Sequence, residues 1–294
     1  MAITAGQVKE LREKTGVGMM ECKKALSESD GDMEKAVLWL RERGMSRAQK
    51  KAGRVTAEGL VGVLLNDAQT AGVVLEVNCE TDFVSKNDDF KKFVADASKL
   101  ALDNKVTSVQ ELGDIAMASG KTVADTLTSL IATIGENLQL RRVACLQADD
   151  GIVAGYTHMG GGIGTLVALK GTKNTELAKD LAMHIAAAAP RYLTNDQVDA
   201  TELEQEKELA KKKLLEEGKP ENMIDKIMAG QMSKFYKEVC LIEQAFVKDP
   251  KTSIKQLLAS DGGASITGFQ RFQLGEGIEK KSDNFADEVK SLTK

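Results

Sequence analysis

The chain has 294 residues, 42% hydrophobic and 29% charged, with a formal net charge of −4 and a pI near 5.5. That length supports a sizeable core and two or more domains, while the acidic balance argues against direct nucleic-acid binding, which needs a basic surface. No apolar run approaches membrane-spanning length and residues 1–14 do not read as a signal peptide, so a cytoplasmic protein with no membrane attachment is expected.

The first segment reads as three short helices. Thr4 and Gln7 form a capping box for a helix carrying Val8 and Leu11, and Gly16 ends it. A second helix holds Met20, Ala25 and Leu26. Asp32 caps a third, with Met33, Ala36, Val37 and Leu40 on one face and Gly44 as its expected stop. Met19 and Met20 carry two readings: core positions, or an adaptable contact surface on a glycine-flanked turn. Residues 46–58 read as a linker whose Lys50, Lys51 and Arg54 form a solvated basic face.

A hairpin follows, with strands at 60–65 and 71–77 and a turn at Asn66 and Asp67. Asn87 is an N-cap for a helix in which Phe90, Phe93, Val94, Ala97, Leu100 and Ala101 recur at helical spacing. Between strand and helix lie Thr81, Asp82, Phe83 and Val84, at the kind of junction where α/β folds present side chains to partners. Phe83 precedes the apolar stripe of the helix. It is either a hydrophobic staple for that helix or a residue offered outward. Thr122 opens another helix, with Val123, Leu127, Leu130, Ile131 and Ile134 in phase and Gly135 as its stop.

Residues 138–147 read as a strand that turns at Asp149-Asp150-Gly151 to pair with 152–156. The glycines from 160 to 164 lead into a strand at 165–169, then a helix from Thr175 stopped by Pro190. The recurrence of strand hairpin then helix predicts two related subdomains. From 199 to 239 sparse apolar residues alternate with dense Glu and Lys around a Gly218-Lys219-Pro220 break. This predicts an antiparallel helical hairpin with arms of about 18 residues, roughly 27 Å long. Its narrow stripe suits self-association or docking. Ser253 caps a short helix, 266–274 alternates as a strand, and Phe285, Val289 and Leu292 give a terminal amphipathic helix.

Catalytic chemistry finds little support. Cys22, Cys79, Cys145 and Cys240 are far apart and lack metal-ligand spacing, so reduced thiols and no metal site are expected. The run from Gly160 lacks the Lys-Ser/Thr of a phosphate-binding loop, and no cofactor is expected. His184 reads as a structural histidine on a helix; His158, beside the glycine run, is the better functional candidate. Two other function classes remain in view: a cysteine-dependent enzyme with Cys79 as nucleophile and His158 as base, and an RNA-binding translation accessory.

The stretch Asn78-Cys79-Glu80-Thr81-Asp82-Phe83-Val84, with Thr15-Gly16-Val17-Gly18-Met19-Met20-Glu21-Cys22-Lys23-Lys24-Ala25-Leu26, resembles the elongation factor Ts family. Further matches lie at Ile134-Gly135-Glu136-Asn137, Arg141-Arg142-Val143-Ala144, residues 182–187 and residues 275–280, collinear along nearly the whole chain. The resemblance implies a guanine-nucleotide exchange factor of elongation factor Tu rather than an enzyme of covalent chemistry. It implies that Thr81, Asp82, Phe83 and Val84 form the stretch that displaces Mg²⁺ in the partner. Met19, Met20, His158, Gly160, Phe285 and Val289 are the further candidate partner contacts.

The expected fold is α+β. Residues 1–54 form a three-helix N-terminal domain with its linker, which the family resemblance implies is ubiquitin-associated-like. Residues 55–143 form one core subdomain, and 144–198 with 235–274 the other, each with an antiparallel sheet. Residues 199–234 form the helical-hairpin arm, a candidate homodimer contact, and 275–294 a C-terminal helical module.

Overall fold

The computed structural model describes residues 3–218 and 220–279, so the expected terminal helix with Phe285 and Val289 lies outside the described residues. Helix α1 (Ala5–Thr15) opens with the expected capping box between Thr4 and Gln7 and closes on Gly16 at φ 69°. Helix α2 (Met19–Glu28) follows, and α3 (Met33–Lys51) starts from the Asp32 cap. Leu11, Cys22, Ala25, Leu26, Ala36 and Leu40 form the buried core of this trio.

Helix α3 corrects the expected stop at Gly44 and the linker beginning at 46. The helix runs through Gly44 because that glycine faces Ala132, where a Cβ would come within 3.1 Å of the alanine's Cβ. Close packing of two backbones outweighs the roughly 1 kcal/mol that glycine costs a helix.

Strands β1 (Glu58–Leu65) and β2 (Ala71–Cys79) form the expected hairpin. The side chain of Asn66 accepts the Thr70 and Ala71 N–H groups at 2.8 and 3.0 Å and so sets the turn. A single helical turn, α4 (Asp82–Ser85), precedes α5 (Asp88–Asp103), whose Asn87 cap accepts the Phe90 N–H at 3.1 Å. Phe90, Phe93, Val94, Ala97 and Ala101 are buried, and full burial of Phe90 alone stabilises by about 1.5–3 kcal/mol. Helices α6 (Val109–Asp114) and α7 (Val123–Ile134) lead to β3 (Leu138–Gln147).

The sheet order is β1-β2-β3, which corrects the expected pairing of 138–147 with 152–156. Charge explains the choice of neighbour. Arg141 and Arg142 on β3 reach the buried Glu76 of β2 at 2.9 and 2.6 Å. Strand β4 (Gly151–His158) instead pairs antiparallel with β5 (Ile163–Lys170), from Gly151 opposite Lys170 to His158 opposite Ile163. Gly151 lies so close to β5 that a Cβ would sit 1.8 Å from the Leu169 carbonyl oxygen.

Helix α8 (Thr175–Ala188) ends where Ala189 turns to φ 47° before Pro190. The charged tract folds as the paired helices α9 (Ala200–Glu216) and α10 (Glu221–Val239). Ala210, Leu214 and Ile224 are buried between them, and Val198, Phe235, Val239 and Cys240 form a cluster at their base. A short hairpin of β6 (Ala245–Phe246) and β7 (Asp249–Ser253), helix α11 (Ile254–Ser260) and β8 (Ser265–Gln273) complete the described chain. The second sheet has the order β4-β5-β8. Each three-stranded sheet therefore joins two consecutive strands to a third that returns after helices, an α+β arrangement in both halves.

The chain divides into two compact units. Among the described residues, the first draws on 3–62, on Leu75–Ala144 and on 272–279, and the second on Val63–Val74 and Cys145–Arg271. Ile152, Val167, Leu169, Leu181, Ile185, Leu241 and Ile254 form the centre of the second. No helix of the described residues is long and apolar enough to cross a membrane.

Candidate functional site

The turn after β2 is fixed by buried and polar contacts on either side of an exposed ring. The Cys79 thiol donates to the Thr81 carbonyl at 3.0 Å. Burial, helped by the charges of Glu136 and Glu58, pushes that thiol up to about 12, so Cys79 is no activated nucleophile. Past Thr81 the chain makes one helical turn. Val84 points inward and is buried, and the N–H groups of Lys86 and Asn87 close back onto the Val84 carbonyl.

Phe83 is 80% exposed, so it does not staple α5. Its ring lies 5.9 Å from the Lys86 ammonium, and Lys86 also pairs with Asp82 at 2.6 Å. The hydrogen bond from Lys86 is the main cause that holds the exposed Asp82 carboxyl below the usual carboxylate range. Asp82 is thus charged, solvated and one residue from a bare aromatic ring.

Glu136, at the end of α7, reaches this turn. Its Oε2 accepts the Glu80 and Thr81 N–H groups at 3.1 and 2.9 Å, and its Oε1 accepts the Thr81 hydroxyl at 2.7 Å. Glu80 returns the contact by accepting the Asn137 N–H at 2.6 Å. Arg54 donates to the Glu80 carboxylate at 3.4 Å, and its own carbonyl accepts from Asn137 Nδ2 at 3.0 Å. Sequence reading singled out Thr81 to Val84 but gave Glu136 no role. The signal lay in the Ile-Gly-Glu-Asn run after a helix stop, where a carboxylate follows the α7 C-terminus.

Met19 and Met20 sit at the start of α2 and are 57% and 77% exposed. They are therefore not core positions; Cys22, Ala25 and Leu26 supply the core face of α2. They share the first unit with Phe83. His158 and Gly160 belong to the second unit, at the tip of the β4–β5 hairpin. His158 Nδ1 pairs with the Tyr156 hydroxyl at 3.0 Å. Gly160 adopts φ 63° beside Met159, which is 78% exposed. Sequence reading passed over Met159.

His184 is a structural histidine, as expected. It is fully buried, its Nδ1 accepts the Val247 N–H at 3.3 Å, and its Nε2 is 3.0 Å from Gln244 Oε1. Those partners require the neutral ring with the proton on Nε2. Burial is the main cause that lowers its pKa.

The family described as "Elongation factor TS" matches residues 80–276 of the chain, from the residue before Thr81 to the residue after Gly275. The curated protein "Elongation factor Ts" of Magnetococcus marinus is 52% identical over 299 residues, covering 98% of each chain. The chain belongs to the elongation factor Ts family. It is a translation elongation factor, and the exposed turn, its glutamate clamp and the β4–β5 tip all lie within the span that the family match covers.

Proposed function

We propose that this chain binds elongation factor Tu·GDP and promotes release of GDP and its exchange for GTP. The observation that carries this reading is Phe83, an exposed apolar ring on a turn whose neighbours are buried or hydrogen-bonded. A large apolar side chain held outward on a fixed backbone is suited to entering a partner at little ordering cost.

In this reading Asp82 and Phe83 enter the partner, while Thr81 and Val84 hold the turn that carries them. Asp82 and Phe83 disturb the groups that hold the partner's Mg²⁺ and the GDP phosphates. Loss of the ion leaves the diphosphate charge poorly compensated, and the nucleotide leaves faster. Binding of GDP and of the exchange factor are then negatively coupled, each lowering the other's affinity by the same factor. Met19, Met20, His158 and Gly160 add contacts, as do Phe285 and Val289 of the C-terminal module. The α9–α10 arm serves self-association, and the protein works in the cytoplasm without a cofactor of its own.

The test is GDP release from purified elongation factor Tu, followed with the parent protein and with Phe83→Ala. Stimulation by the parent and its loss in the variant support the reading. Absence of stimulation by the folded parent overturns it.

A further inference from the structure

The exposed ring of Phe83 has few contacts to aim it. Val84 anchors one side of the turn, and the cation of Lys86 is itself on the surface. Two side chains hold the backbone entering the turn: the Cys79 thiol donates to the Thr81 carbonyl, and Glu136 accepts the N–H groups. One Glu136 carboxylate accepts two consecutive N–H groups, of Glu80 and Thr81, and the Thr81 hydroxyl. Hydrogen bonds to an ionised acceptor are about twice as strong as neutral ones.

Thr81 would ordinarily turn its hydroxyl toward the N–H groups of the helix it precedes, yet it makes no such cap. The hydroxyl is given to Glu136 instead. The clamp is reciprocal, because Glu80 holds the N–H of Asn137 next to Glu136. Behind it, α7 is fixed in turn. Lys51 donates to the carbonyl of Gly135, Arg41 pairs with Asp125 at 3.2 Å, and Gly44 packs on Ala132.

We propose that Glu136 is the positioning residue of the exchange turn, fixing the direction in which Phe83 is presented to elongation factor Tu. This rests on the exchange reading above. Its consequence is a loss of rate with little loss of binding when Glu136 is removed. The turn is then free to point elsewhere, and misplacement of a contact group costs rate even when the complex still forms.

The experiment measures stimulated GDP release against factor concentration, with melting curves, for Glu136→Ala, Glu136→Gln, Phe83→Ala and the Glu136→Ala/Phe83→Ala pair. Glu136→Ala should lower the maximal rate about tenfold while the half-saturating concentration stays within about threefold. Glu136→Gln should remain within about twofold of the parent, since its carbonyl can accept both N–H groups and its amide can donate to the Thr81 hydroxyl. In the Phe83→Ala background, Glu136→Ala should change the rate by less than about twofold, because the residue it positions is gone. An equal tenfold loss in both backgrounds, or a parental rate for Glu136→Ala, overturns the proposal. If Phe83→Ala is slow and Glu136→Ala is not, this inference alone fails. A parental rate for Phe83→Ala removes the ring from the mechanism and this proposal with it, whereas only absence of stimulation by the folded parent overturns the exchange reading. Should Glu136→Ala not fold, Thr81→Val removes only the hydroxyl contact: about a threefold loss, absent in the Phe83→Ala background, supports the role, and a parental rate overturns it.

Discussion

Arg142 Nε donates to Glu76 Oε2 at 2.6 Å while the same guanidinium lies 4.2 Å over the ring of Phe272. Glu76 is fully buried, and it also accepts Arg141 at 2.9 Å, the Gly275 N–H at 2.9 Å and Asn78 Nδ2 at 3.2 Å. Burial alone would raise this carboxyl. The Gly275 N–H and the two guanidiniums reverse that and hold it below the usual range.

Glu76→Gln should therefore destabilise strongly. Removing one partner of a buried ion pair costs about 3–5 kcal/mol, and the partial exposure of the arginines places this site at the lower end. The folded-state pKa lies below the unfolded value near 4.5, so the contribution is present above that pH and is lost as pH falls through the folded value. Urea melts at pH 7 and in acid should show a large gap between parent and variant that narrows below about pH 4.5. An equal gap at both would remove Glu76 ionisation from the explanation.

His184 predicts a second pH effect, with the dependence on protonation reaching higher pH. The folded protein holds the ring neutral, whereas the unfolded chain takes up a proton near pH 6.5. The unfolded state thus binds more protons in the window from about 6.5 downward to the folded value, and stability falls as pH falls through it. His184→Gln should cost about 1–3 kcal/mol at pH 8 through unsatisfied partners, but should flatten the slope in that window. Thermal melts from pH 8 to 5 read both.

Phe83→Ala should leave the melting temperature of the free protein almost unchanged, because the ring is already in water. In the complex the lost burial is worth roughly 1.5–3 kcal/mol, which slows stimulated GDP release about 10- to 150-fold if the contact is complete at the transition state. Asp82→Ala should act in the same direction. Clear destabilisation by Phe83→Ala would contradict the exposed placement, and a normal release rate would remove the ring from the mechanism.

The arm gives a prediction about mass rather than rate. Its base is tied by the Val198, Phe235, Val239 and Cys240 cluster and by Glu202, which pairs with Arg191 and accepts the Tyr192 hydroxyl. Replacing residues 206–230 with a short Gly/Ser linker spares that base. The variant should stay folded and stimulate GDP release at the parental rate, with a changed oligomeric mass by light scattering. Loss of stimulation in the folded variant, or an unchanged mass, counts against an association role.

Local chemistry was legible in the sequence, and distant polar partners were not. Thr4, Asp32, Asn87, Thr122 and Ser253 cap the helices they were expected to cap, since each cap is decided within three residues. The Thr81 to Val84 junction stood out because Phe83 lies ahead of the apolar series of α5. Gly44 misled, because the contact that keeps it helical is with Ala132, far along the chain. Asp149-Asp150-Gly151 misled for a related reason. It is a sound turn signal, but Glu76 holds arginines 65 and 66 residues away and assigns β3 to β2. Glu136 escaped notice likewise, because its partner Thr81 is 55 residues distant.

Gly275 donates to Glu76 across 199 residues of sequence. A chain emerging from the ribosome therefore exposes β2 long before its last partner is made. The second unit is nearly continuous in sequence, whereas the first collects its final pieces from Phe272 onward. Contacts of such separation are slow to close, and a carboxylate left without its partners is costly to bury. The first unit, which carries Phe83, is thus completed only after Gly275 has been made. A nascent chain stalled short of Gly275 presents Thr81 to Val84 on an unfinished scaffold.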